Sequence, residues 1–345
     1  MSSLPTASVI IPTYNRKIML RETLNSLAKQ TYPKERMNVI IVDDGSTDDT
    51  EEIAEERFAF DLSYFWQRNQ GDAAARNLGA EQSRADILVF LDDDILLDPG
   101  YLSYLIEAYD TCKNRIVGGT WNLWQAETTP LSNALHGSLA PGAHLDRSFF
   151  KQDSEYDSDH TIAELPFTDI YSNNMALMRE AYFETGMMQG LDFPGSSMWC
   201  DLDFAYRAYQ QGFEFRRSTK AICWHRDHHI FDLDIYKKRA RTAAYRAVTL
   251  FQKHPSLIAH LPMFSDKTPI VWDQDLPSLI TRKLARSMAS SRPALWSIEK
   301  VVGTLEKVYP ASSVLPYLYR YVIGGHVYQG YREGLREHGV AGVQK

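Results

Sequence analysis

Three consecutive carboxylates, Asp92, Asp93 and Asp94, follow directly on the apolar run Ile87-Leu88-Val89-Phe90-Leu91. Adjacent carboxylates at a strand end repel one another unless a cation is present. Mg²⁺ and Mn²⁺ favour oxygen ligands and share them with substrate phosphates. The pattern therefore points to a divalent metal beside a phosphorylated ligand, with a solvated acidic turn or helix cap as the plain alternative. Asp43 and Asp44 end a second run, Val39-Ile40-Ile41-Val42. A carboxylate there can accept a hydrogen bond from a base or ribose, although Asp-Gly is also a common turn. Pro12-Thr13-Tyr14-Asn15-Arg16 closes a third run, where Tyr14 could stack on a base and Arg16 could meet a phosphate. Arg76 lies near the start of a helix rich in small residues. Asp201 opens another helical pattern, in a first turn where the dipole favours an ionised carboxylate. His225 follows Ala221-Ile222-Cys223-Trp224; a lone histidine is usually structural, but Arg226, His228 and His229 come after it, which suits a metal- or phosphate-binding loop.

The elements that must position these groups alternate. Ser8-Val9-Ile10-Ile11, Val39 to Val42 and Ile87 to Leu91 are short continuous apolar runs. Between and after them come helical patterns: Leu20, Leu24 and Leu27; a helix capped by Thr47 to Asp49 and running to about Arg57; Ala73 to Ala80; and one opened by Asp98-Pro99, with proline at its first position. This alternation predicts an α/β protein with a parallel sheet covered on both faces. Ligands bind such sheets beyond the carboxyl ends of the strands, where two of the runs end in aspartates. Residues 122 to 166 read as a long loop over the site. Met175 to Met178, Glu214 to Arg217 and Ala221 to Trp224 read as strands. Arg179 to Thr185 reads as a short helix, and Leu202, Ala205 and Tyr209 mark another ending near Gly212. Beyond Asp227 the pattern is mostly helical, with segments near 233–251, 276–290, 296–309 and 317–335.

Composition narrows the classes. The 345 residues allow one large domain or one domain with an appendage, and 44% hydrophobic against 23% charged residues is ordinary for a globular chain. A net charge of −7 gives no basic field for nucleic acid. Cys112, Cys200 and Cys223 are odd in number and far apart, which argues against a disulfide framework or zinc site and for a reducing compartment. Met1 to Pro5 has no signal-peptide pattern, and no window approaches the ~20 apolar residues that span a bilayer. The expectation is a cytoplasmic protein, or one held peripherally at the inner face of a membrane. Peripheral contact has one candidate segment, Leu233 to Phe251, where Lys237, Lys238, Arg239 and Arg241 accompany apolar positions. The plainer reading of that segment is a packed helix with a solvated basic face.

Four stretches taken in order, Ser8 to Arg16, Val42 to Asp48, Ala75-Arg76-Asn77-Leu78-Gly79 and Phe90 to Asp94, resemble family two glycosyltransferases over about residues 6 to 226. The resemblance implies a GT-A fold, a mostly parallel sheet flanked by helices; the helical C-terminal extension at 227–345 rests on the residue pattern alone, because the region after Asp227 matches no motif of the family. The same resemblance implies an inverting transferase in residues 1–226, with a nucleotide-binding half at 1–120 and an acceptor half at 121–226. The donor would be a nucleotide sugar, UDP-linked in the commonest case, and the acceptor a hydroxyl of a carbohydrate, lipid-linked or other molecule. Pro12, Tyr14 and Asp44 match the base pocket, and Arg16, Asp43 and Arg76 are placed with them as nucleotide-binding. Asp92, Asp93 and Asp94 match the Asp-x-Asp element that holds ribose and a diphosphate-bound Mn²⁺ or Mg²⁺, with Asp92, Asp94 and His225 as metal ligands. Asp201 matches the catalytic base, but Cys200 stands where the family often has glutamate. Two other readings are weighed: a sugar nucleotidyltransferase, which would need a glycine-rich loop after the first run, and a non-catalytic nucleotide-binding protein derived from a transferase.

Overall fold

The computed structural model describes residues 4–109, 112–123, 131, 162–190, 198–226 and 232–339. Most of the long loop read at 122–166, together with Gly195, Ser196, Ser197, His228 and His229, lies outside them. The chain divides into two units, residues 1–124 with 152–227, and residues 125–151 with 228–345.

The first unit is built on a nine-stranded sheet. Strands β1 (Ala7–Thr13), β2 (Met37–Asp43), β3 (Asp61–Trp66) and β4 (Ile87–Leu91) pair in parallel in the order β3-β2-β1-β4. Both β1 and β4 are buried along their whole length, which is why they read as continuous apolar runs rather than alternating ones. Helices α1 (Lys17–Ala28), α2 (Asp72–Gln82) and α3 (Tyr101–Glu107) connect and cover this half. Leu20, Leu24 and Leu27 of α1 join Val9, Val39 and Val89 in one core.

Beyond β4 the sheet is mixed. β8 (Asn174–Met178) runs antiparallel to β4, and β6 (Arg115–Leu123) antiparallel to β8. β9 (Glu214–His225) is parallel to β6, while β5 (Ile95–Leu97) and β7 (Ile162–Glu164) lie antiparallel to β9. The expectation of a mostly parallel sheet holds: β1 to β4 and the β6–β9 pair are parallel, while β8, β5 and β7 join antiparallel. The two strands read at 214–217 and 221–224 are one strand, broken in pattern where the β6–β9 register shifts between Gly119 and Thr120. Two helix boundaries also differ. Asp49–Glu55 is 3₁₀ rather than α, capped by Asp48, and its buried residues Thr50 and Ile53 lie three apart, the spacing that eclipses in that geometry. α3 begins at Tyr101 instead of Pro99, because Asp98 first turns the chain by accepting from the Gly100 and Tyr101 amides. α4 (Arg179–Glu184) and α5 (Cys200–Gln210) complete the unit.

The second unit contains four long helices among the described residues: α6 (Leu233–Lys253), α7 (Pro277–Ala289), α8 (Arg292–Val308) and α9 (Leu315–His338). α6 and α9 pack so closely at Gly330 and Gly334 that an added Cβ would collide with the carbonyls of Arg241 and Tyr245. The basic residues of α6 are largely spent inside this unit. Lys237 pairs with Asp234 and Glu299, and Arg241 pairs with Glu333. That supports the plainer reading of Leu233 to Phe251.

Candidate active site

The loops after β1 and β2 are stitched to each other. Asn15, left-handed at φ 54°, accepts from the Thr47 amide at 2.7 Å, while its own amide donates to Ser46 Oγ at 2.9 Å. Asp43 accepts from the Ser46 amide at 2.7 Å and from the Tyr64 hydroxyl. Asp44, 5% exposed, accepts from Gln67 Nε2 at 2.7 Å and from the amides of Gln70 and Gly71, each at 2.8 Å. Both carboxylates thus use most of their acceptor capacity on protein donors and hold this wall in shape. Pro12 is buried in β1, while Tyr14 stands beside it 47% exposed, with a ring face open to a planar ligand.

The aspartate triplet sits where β4 ends. Asp92 accepts from Arg76 Nη2 at 2.5 Å, and the same guanidinium bonds Asp72 through Nη1 at 2.5 Å. Arg76 is 1% exposed, so it faces these two carboxylates rather than a surface where a phosphate could reach it. Burial alone would lower its pKa, but Asp72 and Asp92 outweigh burial and raise it. Asp93 accepts from Thr13 Oγ1 at 2.8 Å and from Arg16 Nη1 at 3.0 Å. The same Arg16 nitrogen donates to Asp94 Oδ2 at 2.9 Å. The antiparallel β5–β9 register places His225 opposite Ile95, which brings His225 Nε2 to 3.2 Å from Asp94 Oδ1. That buried oxygen has no hydrogen bond of normal geometry. One ligand atom each from Asp92, Asp94 and His225 lie within 4.8 Å of one another.

The environment pulls the three carboxyls apart. Burial pushes Asp93 up to about 7 against the pull of Arg16. Burial also raises Asp92, with Arg76 opposing. In Asp94 burial acts the same way, but His225 and Arg16 overcome it and hold the carboxyl well below the usual range.

Asp201 occupies the first turn of α5, with the Leu202 amide donating to its Oδ1 at 2.8 Å. Trp199, the residue before the helix, is left-handed at φ 69° and gives no side-chain cap, a strained arrangement for a large residue. Burial pushes Asp201 up to about 6, opposed by the Leu202 amide and by Arg76. Desolvation thus outweighs the helix start in setting the direction of the shift, yet at about 6 the carboxyl is still mostly ionised at neutral pH. Cys200 is 2% exposed and burial raises its thiol far above the ordinary value, so it is inert at neutral pH. Asp203 is fully buried and pairs with Arg207 at 2.9 Å, a structural role. The sequence reading missed Asp72, whose i,i+4 spacing to Arg76 was the available signal, and Thr13 and Tyr64, whose hydroxyls carry no such pattern.

Residues 8–185 match the family described as Glycosyl transferase family 2, which is more than half of the chain. The chain belongs to that family. Within it, the glycosyltransferase AglE of Haloferax volcanii is 46% identical over 99 residues, covering 27% of this chain and 32% of that protein. The uncharacterized glycosyltransferase YfnE of Bacillus subtilis is 28% identical over 259 residues, 64% of this chain and 65% of that one. In both cases the match spans less than two thirds of the relative's length. A solved structure of the mannosyltransferase PcManGT from Pyrobaculum calidifontis, in complex with GDP-Man and Mn²⁺, is 19% identical with a TM-score of 0.54, covering 96% of this chain and 89% of that one. It shares the fold. The mixed, mostly parallel sheet of this family two chain is of the GT-A type.

Proposed function

We propose that this chain is an inverting glycosyltransferase that moves a sugar from a nucleoside-diphosphate donor, UDP-linked, to an acceptor hydroxyl, with the chemistry in residues 1–226. The observation that carries this reading is the convergence of Asp92, Asp94 and His225 on one point, next to an Arg76 whose charge also bears on Asp201. Two carboxylates and one imidazole suit Mn²⁺ or Mg²⁺, and the buried Asp94 Oδ1 faces His225 Nε2 at 3.2 Å without a well-formed hydrogen bond, two ligand atoms an ion could share. When bound, such an ion would neutralise the charge developing on the leaving diphosphate.

The chain's own groups account for the rest. Tyr14 stacks on the base, with Pro12, Asp43 and Asp44 shaping the wall behind it. Asp93, held by Thr13 and Arg16, would meet the ribose, and Arg16, beside the triplet, would meet a phosphate. Arg76 fixes the rotamer of Asp92. Asp201, with its carboxyl near 6, is mostly ionised at neutral pH and still basic enough to accept a proton, as general-base efficiency requires. It takes the proton of the acceptor hydroxyl as that oxygen bonds to the anomeric carbon. The bond from that carbon to the diphosphate oxygen breaks on the opposite face, and the nucleoside diphosphate departs with the electron pair.

The test is a panel of UDP- and GDP-sugars, followed by release of nucleoside diphosphate with and without Mn²⁺. Metal-dependent release from at least one donor is expected. Binding without release from any donor would leave the non-catalytic nucleotide-binding reading standing, and no binding of any donor would overturn both.

A further inference from the structure

Large apolar side chains stand in water along one stretch of the helical unit. Ile280, Leu284 and Met288 recur every four residues along α7, with Leu276 just before its first residue; Leu276, Leu284 and Met288 are exposed and Ile280 is half-buried. Leu276 is 70% exposed and Met288 77%, whereas Lys283, on another face, is buried against Asp275. Trp272, in the turn before α7, is 72% exposed, and Trp296 on α8 is 63% exposed. Large apolar side chains exposed together on two helices that pack against each other mark an interaction site.

The charge around it is selective. Between residues 276 and 310 six basic residues (Arg282, Lys283, Arg286, Arg292, Lys300 and Lys307) stand against two acidic ones, in a chain whose net charge is −7. Lys283 and Arg286 are neutralised by Asp275 and Asp266. Arg282, Arg292, Lys300 and Lys307 are exposed, and none pairs with a carboxylate among the described residues. Lys300 lies over the Trp296 ring at 5.7 Å. α6 in the same unit is equally basic but pairs Lys237 and Arg241 internally, whereas α7 and α8 carry four exposed cations without such a pair among the described residues.

We propose that the exposed faces of α7 and α8 form a docking surface for an anionic lipid bilayer. The apolar residues would enter the headgroup boundary, the two tryptophans would sit at that level, and Arg282, Arg292, Lys300 and Lys307 would meet lipid phosphates. A second copy of the chain suits the surface less well, because a two-fold contact would set these cations against their own counterparts. Among the described residues no helix is long and apolar enough to cross a membrane, so contact through this surface would be peripheral. The inference is independent of the reaction proposed above.

The full chain is co-sedimented with vesicles of phosphatidylcholine alone, or doped with phosphatidylglycerol, at low and high salt. Binding to the doped vesicles only, weakened by salt, is expected. Trp272→Ala/Met288→Ala/Trp296→Ala and, separately, Lys300→Glu/Lys307→Glu should each lower the partition coefficient roughly tenfold or more. Because all five side chains are solvent-facing, the melting temperature should hold. No binding to any vesicle, or binding that neither variant alters, overturns the proposal. So does a wild-type dimer, seen by light scattering, that the apolar variant turns into a monomer without any vesicle binding.

Discussion

Both units bury charged side chains, and they balance them differently. In the helical unit the accounts close. Asp266 lies between Lys267 at 3.0 Å and Arg286 at 2.9 Å, and Lys283 meets Asp275 at 2.6 Å. Lys283 has an acid of its own and Lys267 and Arg286 share Asp266, so every one of these cations is met by a carboxylate. In the sheet unit Asp72, Asp92, Asp93 and Asp94 converge on only two guanidiniums, Arg16 and Arg76. The surplus is negative, and it is concentrated where β4 ends and His225 arrives from β9. A buried pair is weak evidence for stability, and still weaker evidence for function. A buried cluster with uncompensated charge is costly unless something else completes it. That difference separates a structural ion pair from a binding site.

The largest effect expected from breaking the catalytic side is at Asp201. Asp201→Asn should cut sugar transfer by about 10²–10⁴ while nucleotide-sugar binding stays near normal. The same variant tests the buried carboxyl by its sign. Because burial raises the folded-state pKa to about 6, the protonated form is the one the fold prefers. The stabilisation this gives is present below the ordinary carboxylate range and is lost as pH rises through about 6. Asp201→Asn should therefore raise the melting temperature above pH 6 and change it little in the acid range. A helix cap would show the reverse, a lowered melting temperature with transfer retained. Wild-type transfer should rise with pH and level off above about 6.

On the balanced side, Asp266→Ala leaves Lys267, 3% exposed, without its acid. Loss of one partner of a buried pair costs about 3 kcal/mol. Chemical denaturation should show the loss, and nucleotide binding by the folded fraction should not change. If binding fell in proportion, the ion pairs of the helical unit would not be merely structural.

The smallest effect is at Arg16, which is 40% exposed and therefore screened by solvent. Arg16→Gln removes a cation that occupies Asp93 and Asp94. It should tighten Mn²⁺ binding in the absence of nucleotide by only a few-fold, roughly the ~1 kcal/mol of a partly exposed pair. Titration calorimetry reads this directly, and weaker metal binding in the variant would mean that Arg16 assists the ion instead of competing with it.

Much of this arrangement was legible in the residues. β1, β2 and β4 announce themselves because both faces of the sheet are covered, and the aspartates after them fall where a ligand binds. β3 did not, since Asp61–Trp66 is only partly buried along its length and offers neither a continuous run nor a clean alternation. β5 is three residues long, and β6 begins with an arginine and carries two glycines, which weaken any strand signal. The reversal of direction at β8 depends on a pairing between segments far apart in sequence. Within the site, the triplet and His225 could be named from type and position. The burial of Arg76 could not, because a helical arginine reads as surface until Asp72 and Asp92 are both placed around it. The raised pKa of Asp201 was not legible for a related reason: the helix dipole is visible in sequence, whereas the desolvation that opposes it arises only from tertiary packing, although at about 6 the carboxyl is still mostly ionised at neutral pH.

The central claim is that the surplus negative charge at Asp92 and Asp94, with His225, takes up a divalent cation together with a nucleoside diphosphate. Calorimetric titration of UDP into wild type and Asp94→Ala, each with Mn²⁺ and with chelator, tests it most directly. Wild type should bind far more tightly with the ion present, and Asp94→Ala, correctly folded by circular dichroism, should bind equally weakly in both conditions. Equal UDP affinity of the wild-type chain with and without chelator would contradict the account.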